Sequence, residues 1–141
     1  MNKKDVLLEI RSYFDDSEVF YMISVGKLWQ EDNTIILEWD NPDESPFADK
    51  KTILAVKGND ELSLFTDRYI GNSSLILEKG KRSVSQGAED PFSSMPVGHS
   101  VNFIKNTLGM NGGQVKFSYT TDSYDAKNIT KVLDVKVKNL T

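Results

Sequence analysis

Apolar residues recur at every second position through most of this chain, and that period is what most constrains the fold. Successive side chains of a strand point to opposite faces, so alternation of apolar and polar residues marks a strand with one face buried. Val19, Tyr21, Ile23 and Val25 alternate in this way, as do Ile35, Leu37 and Trp39 against Glu38 and Asp40. Val115, Phe117, Tyr119 and Thr121 oppose Lys116, Ser118 and Thr120. Ile129, Lys131, Leu133, Val135 and Val137 make the closing run. Lys131 alone breaks that run, and its place near the strand start predicts that it reaches solvent.

Shorter strands fill the intervals. Residues 6–13 set Leu8 and Ile10 on one face. Residues 51–57 and 61–66 are joined by Gly58-Asn59-Asp60, residue types that accept the positive φ of a tight hairpin. Residues 72–79 and 81–86 flank Gly80, residues 97–104 follow a proline-bearing loop, and Asn111-Gly112-Gly113 leads into a strand at Gln114. Residues 106–110 hold at most one helical turn, and no amphipathic helix of ordinary length has a place. The pattern predicts one all-β domain over residues 1–141: an up-and-down antiparallel barrel of about 8–10 strands with little helix, or a sandwich. Hairpin-length links favour the barrel, and closure removes exposed edges. A chain of 141 residues buries enough surface for a core without covalent staples.

Composition removes several classes of function. There is no cysteine, hence no disulfide, thiol chemistry or cysteine metal site, which suits a cytoplasmic protein. The amino terminus opens on lysines, but Glu9, Arg11, Asp15 and Asp16 interrupt the apolar residues of a secretory core. The run 19–25 is far short of a membrane span. The formal net charge is −4, and Lys79, Lys81 and Arg82 form the one tight basic cluster. A solvated hairpin end explains that cluster better than a nucleic-acid surface.

The order of motifs resembles that of the uncharacterised bacterial YwiB-like family. The resemblance is carried by Asp5-Val6-Leu7, by Lys51-Thr52-Ile53 and by Leu75-Ile76-Leu77-Glu78-Lys79-Gly80-Lys81-Arg82. It continues through residues 101–108 and Asn111-Gly112-Gly113-Gln114-Val115-Lys116-Phe117-Ser118-Tyr119 to the closing strand. Where that family has Thr-Pro-aromatic-Gly, this chain has Asp90-Pro91-Phe92-Ser93. The resemblance implies a lipocalin-like, calycin-type barrel of bacterial cytoplasmic origin. It implies no reaction and supplies no catalytic residue.

The residues themselves point to little chemistry. One histidine, His99, is too few for a zinc site, and the acidic stretch with Asp40, Asp43, Glu44 and Asp49 lacks the spacing of a calcium loop. No metal or cofactor is expected. His99 shares parity with Val97, Val101 and Phe103 and so points inward, as a hydrogen-bonded core histidine or a polar anchor; no nucleophile elbow accompanies it. Trp39, Phe103, Phe117 and Tyr119 share the inward parity, and Arg82 and His99 complete a candidate ligand set if they converge with Tyr119 at one end. Such an interior is either filled by side chains or holds one small apolar or amphipathic ligand. Loops 40–49 and 87–96 each carry a lone phenylalanine, Phe47 and Phe92, and have the length of lids. A different reading is a protein-interaction module or homodimer. It rests on strands apolar on both faces: Phe20 and Met22 oppose Val19, Tyr21 and Ile23, and Ile36 opposes Ile35 and Leu37. An enzyme using His99 ranks behind both.

Overall fold

The structure is a computed structural model and describes residues 2–41, 49–68, 72–86, 96–123 and 126–140. Ten strands run in chain order: β1 (Lys4–Phe14), β2 (Ser17–Glu31), β3 (Thr34–Asp40), β4 (Asp49–Lys57), β5 (Glu61–Arg68), β6 (Asn72–Glu78), β7 (Arg82–Gln86), β8 (Pro96–Asn106), β9 (Gly113–Ser123) and β10 (Ala126–Asn139). They form one sheet in the order β6-β5-β4-β3-β2-β1-β10-β9-β8-β7, antiparallel throughout. The two strands at the ends of that order, β6 and β7, are consecutive in the chain. The Lys81 amide donates to Glu78 O at 3.1 Å and Ser83 Oγ donates to Ile76 O at 2.6 Å, with no ladder between the two strands among the described residues. The result is a nearly closed up-and-down barrel, without helix among the described residues.

The alternation puts Val6, Leu8, Ile10, Leu37, Trp39, Leu54, Val56, Leu62, Leu77, Val115, Phe117, Val135 and Val137 inside, all buried in one cluster. One end of the barrel is sealed. Where a single helical turn was allowed, residues 106–112 instead form a tight hairpin, with Gly109 and Gly112 exchanging backbone bonds of 3.0 and 3.1 Å. That loop sets Leu108 into the core and Met110 against it. Lys4 Nζ donates to Met110 O at 2.8 Å, and the Asn106 amide side chain donates to Gly58 O at 3.0 Å across the barrel.

Two strands depart from their expected parity. In β8 the register with β9 runs Val101↔Tyr119 and then Phe103↔Ser118, so Asn102 is an extra residue. Such a bulge reverses the faces of everything after it. Phe103, expected inside with His99, turns outward, and Ile104 takes the core position opposite Phe117. Asn102 Nδ2 fastens the bulge by donating to Ser118 Oγ and Thr120 Oγ1, both at 3.1 Å.

In β2 the register with β1 sets Met22 against Ile10 and Gly26 against Val6, so the even-numbered residues face the core. Tyr21, Ile23 and Val25 are therefore exposed on the outer surface, while Val19, exposed as well, is the extra residue of a bulge opposite Ser12. Met22 is buried inside, and Ile36 pairs with Trp29 on the outer face, where both are buried apart from the main cluster. Gly26 helps fix this choice: a Cβ there would stand 2.6 Å from both Leu8 Cδ1 and the Glu38 carbonyl oxygen. The long connections, with Phe47, Phe92, Asp43, Glu44 and Asp90-Pro91-Phe92-Ser93, lie outside the described residues.

Candidate functional site

Away from the Leu108 end, the inner face changes character. Aliphatic side chains give way to a row of aromatic and polar ones contributed by β1, β8, β9 and β10. Each owes its place to strand parity. Tyr119 follows Phe117 on β9, and the two rings stack with centroids 6.1 Å apart. Thr121 follows Tyr119 and lies opposite His99 in the β8 ladder. His99 Nδ1 and Thr121 Oγ1 share a hydrogen bond of 3.1 Å, and the imidazole meets the Tyr119 ring edge-on at 5.9 Å. His99 and Tyr119 are both buried.

Lys131 completes the group. It pairs with Tyr119 on β9 and with Phe14 on β1, both inward positions. Its ammonium stands 5.3 Å from the Phe14 ring centroid and 5.9 Å from that of Tyr119. The residue expected to escape to solvent is thus half-buried on the inner face, between two aromatic rings. The sequence signal was present as the one charged residue on an otherwise apolar parity.

The other candidates are distributed differently. Trp39 and Phe117 are core residues, Trp39 paired with Thr52 on β4 and Phe117 with Leu133 on β10. Phe103 is outside, with Lys105 Nζ 5.1 Å from its ring centroid. Arg82 does not converge with Tyr119 and His99. It lies on the outer face, where its guanidinium crosses the bare Cα of Gly98 to reach Asp122, Nε donating to Oδ2 at 3.1 Å and the terminal nitrogen to Oδ1 at 2.5 Å. The hydrogen bond with Arg82 holds the Asp122 carboxyl below its ordinary range, against partial desolvation. Lys81 pairs with Glu78 at 2.9 Å, so two members of the basic cluster face acids of the chain itself.

A concavity of about 280 Å³ opens on the outer surface where β3 ends beside β2. Asp5, Lys27, Glu38 and Lys51 line it. Lys27 pairs with Asp5 and Lys51 with Glu38, so its charges are already matched. Among the described residues no three of His, Asp and Glu gather as metal ligands, and no helix is long and apolar enough to cross a membrane.

No family model matches this chain, and no curated protein does. Among solved structures it is similar to the YwiB protein of Bacillus subtilis, with a TM-score of 0.64 over 95% of this chain and 92% of that one, at 15% sequence identity. At that identity the likeness speaks to architecture alone. The chain thus has an all-β, lipocalin-like barrel fold related to that of YwiB.

Proposed function

We propose that the chain binds a small amphipathic anion at the His99 end of its barrel. The observation that carries this reading is Lys131, a cation retained on the inner face between Phe14 and Tyr119. The Lys131 ammonium, the His99–Thr121 pair and Tyr119 line one inner face and together suit an acidic head group. The apolar portion would lie against Ile10, Met22 and Leu133, which border the same face. Leu108 fills the core at the opposite end, so a ligand would enter from the His99 end.

Competition between dodecanoate and the fluorescent anion anilinonaphthalene sulfonate tests this. Wild-type protein should bind dodecanoate and prefer it to dodecanol. Lys131→Met should weaken dodecanoate by roughly 10–100-fold, the worth of one charge-assisted hydrogen bond, and leave dodecanol unchanged. Lys131→Arg should retain most of the affinity. Equal binding of the acid and the alcohol, or indifference to Lys131→Met, would sink the reading.

A further inference from the structure

Three apolar residues on the inner wall are out of keeping with a filled barrel. Ile10 of β1 and Met22 of β2 lie opposite each other and are buried. Toward the His99 end the next inward positions are Ser12 and Phe14 on β1 and Phe20 on β2. Phe14 is 45% exposed and Phe20 43%. Ile129, on the inward parity of Lys131 in β10, is 36% exposed. Single apolar residues on an outer surface are ordinary, whereas several together on an inner wall mark a place where something binds.

The register gives this wall a shape. Ser12 is the smallest side chain on the inner face of β1, and it lies between Leu133 of β10 and Phe20 of β2. Phe14 follows it on the same face and Ile10 precedes it. A small residue with large ones on both flanking strands makes a trough across the wall. At one side of the trough stands Lys131, opposite Phe14 and with its ammonium 5.3 Å from that ring centroid. At the other stands Phe20, two strands away and about 10 Å across the sheet. Beyond Phe20 the wall is unpaired. β2 joins β3 only from Gly26 to Glu31, so between Ser17 and Val25 its far side has no ladder among the described residues.

We propose that this trough holds the unbranched alkyl chain of a single-chain carboxylate whose head group meets Lys131, and that Phe20 sets the preference for chain length. The proposal rests on the anion reading of the same site and names the class of anion. Charge complementarity places the carboxylate at the Lys131 side. Apolar surface continuous from Phe14 and Leu133 to Phe20 gives the tail its path, and the unpaired flank of β2 gives it room to leave. A trough one residue wide takes one chain, so a lipid with two has no place for the second.

Isothermal titration calorimetry with octanoate, decanoate, dodecanoate and dodecanol tests the proposal, with thermal unfolding of each variant as the check on folding. In wild type each added methylene should tighten carboxylate binding by roughly two- to fourfold. Phe20→Ala, at a half-exposed position, should keep the fold and weaken dodecanoate and dodecanol alike by roughly 10-fold, with octanoate changed by no more than about twofold. Phe20→Leu should recover most of the loss. Ser12→Leu, which fills the trough from below, should flatten the dependence on chain length in the same way. An equal gain per methylene in wild type and Phe20→Ala would overturn the proposal. So would a loss in Phe20→Ala as large for octanoate as for dodecanoate, or one confined to the carboxylates. Lys131→Met separates the tail from the head. If that variant loses the preference for dodecanoate over dodecanol while Phe20→Ala has no effect, the tail assignment fails alone. If Phe20→Ala flattens the series while Lys131→Met changes nothing, the head-group reading fails and the tail subsite is supported. Absence of carboxylate binding by wild type would overturn both.

Discussion

The pair Arg82–Asp122 shows how a residue with no side chain shapes its surroundings. A Cβ on Gly98 would come within 2.1–2.5 Å of the Arg82 guanidinium, so glycine there is what lets the cation lie flat across β8. Arg82 lowers the Asp122 pKa in the folded chain. A folded value below the unfolded one contributes stability at pH above the ordinary aspartate range, and loses it as pH falls through the folded value. The urea midpoints of wild type and Asp122→Asn should therefore differ at neutral pH and converge as the pH drops below about 4. Gly98→Ala should show the same flattened profile, because displacing the guanidinium removes the same bond. A profile for Asp122→Asn parallel to that of wild type would deny the linkage. Both groups are solvent-exposed, so screening keeps the effect small.

At the scale of elements, β8 carries the sharpest expectation. Asn102→Ala keeps the bulge and removes the amide bonds to Ser118 and Thr120, a loss of about 1 kcal/mol. Deleting Asn102 is a different perturbation, because it forces the strand back into phase. Val101 would stay opposite Tyr119, Phe103 opposite Ser118 and Ile104 opposite Phe117, now in unbroken alternation, so the faces and the register are kept. The deletion should therefore keep a cooperative unfolding transition and cost little beyond the same amide bonds, and a denaturant titration of both variants checks it: a broadened transition for the deletion alone would show that the bulge itself holds the strand. The contrast with β9 and β10 is instructive. β9 is apolar on one parity alone and β10 is so but for Val132, and their facing could be read from sequence. β2 is apolar on both, so periodicity could not choose a face. The informative residue was Gly26, since a mid-strand glycine signals close approach of a neighbour.

For the whole molecule, the sheet order sets where the barrel is weakest. Among the described residues β6 and β7 meet through a side-chain bond and a turn, with no ladder, while β1, β10 and β9 are each flanked by paired strands. Native-state hydrogen exchange should find amides of β1, β9 and β10 opening last, at or near the global unfolding free energy. Amides of β7, held by β8 alone, should exchange through a local opening at lower free energy. Equal protection of β7 and β10 would mean that the seam is as tight as the ladders. Dodecanoate should add protection to β9 and β10 around Tyr119 and Lys131, far from the seam, if Lys131 holds its head group.

Period-two alternation with hairpin-length links determined an antiparallel meander, because a strand's two faces and a short turn leave few other ways to bury one side. It also placed Trp39, Phe117, Tyr119 and His99 inside. Only the tertiary structure decided the facing of β2 and of the second half of β8. The first depends on a neighbour's side chain pressing against Gly26, and the second on a bulge whose pairing strand is remote in sequence. The site was legible by direction and not by height or curvature. Parity indicated that Tyr119 and His99 point inward, whereas the meeting of Lys131 with Phe14 and Tyr119, and the departure of Arg82 to the outer face, follow from register between strands. Register is a relation between distant segments, and no single segment contains it.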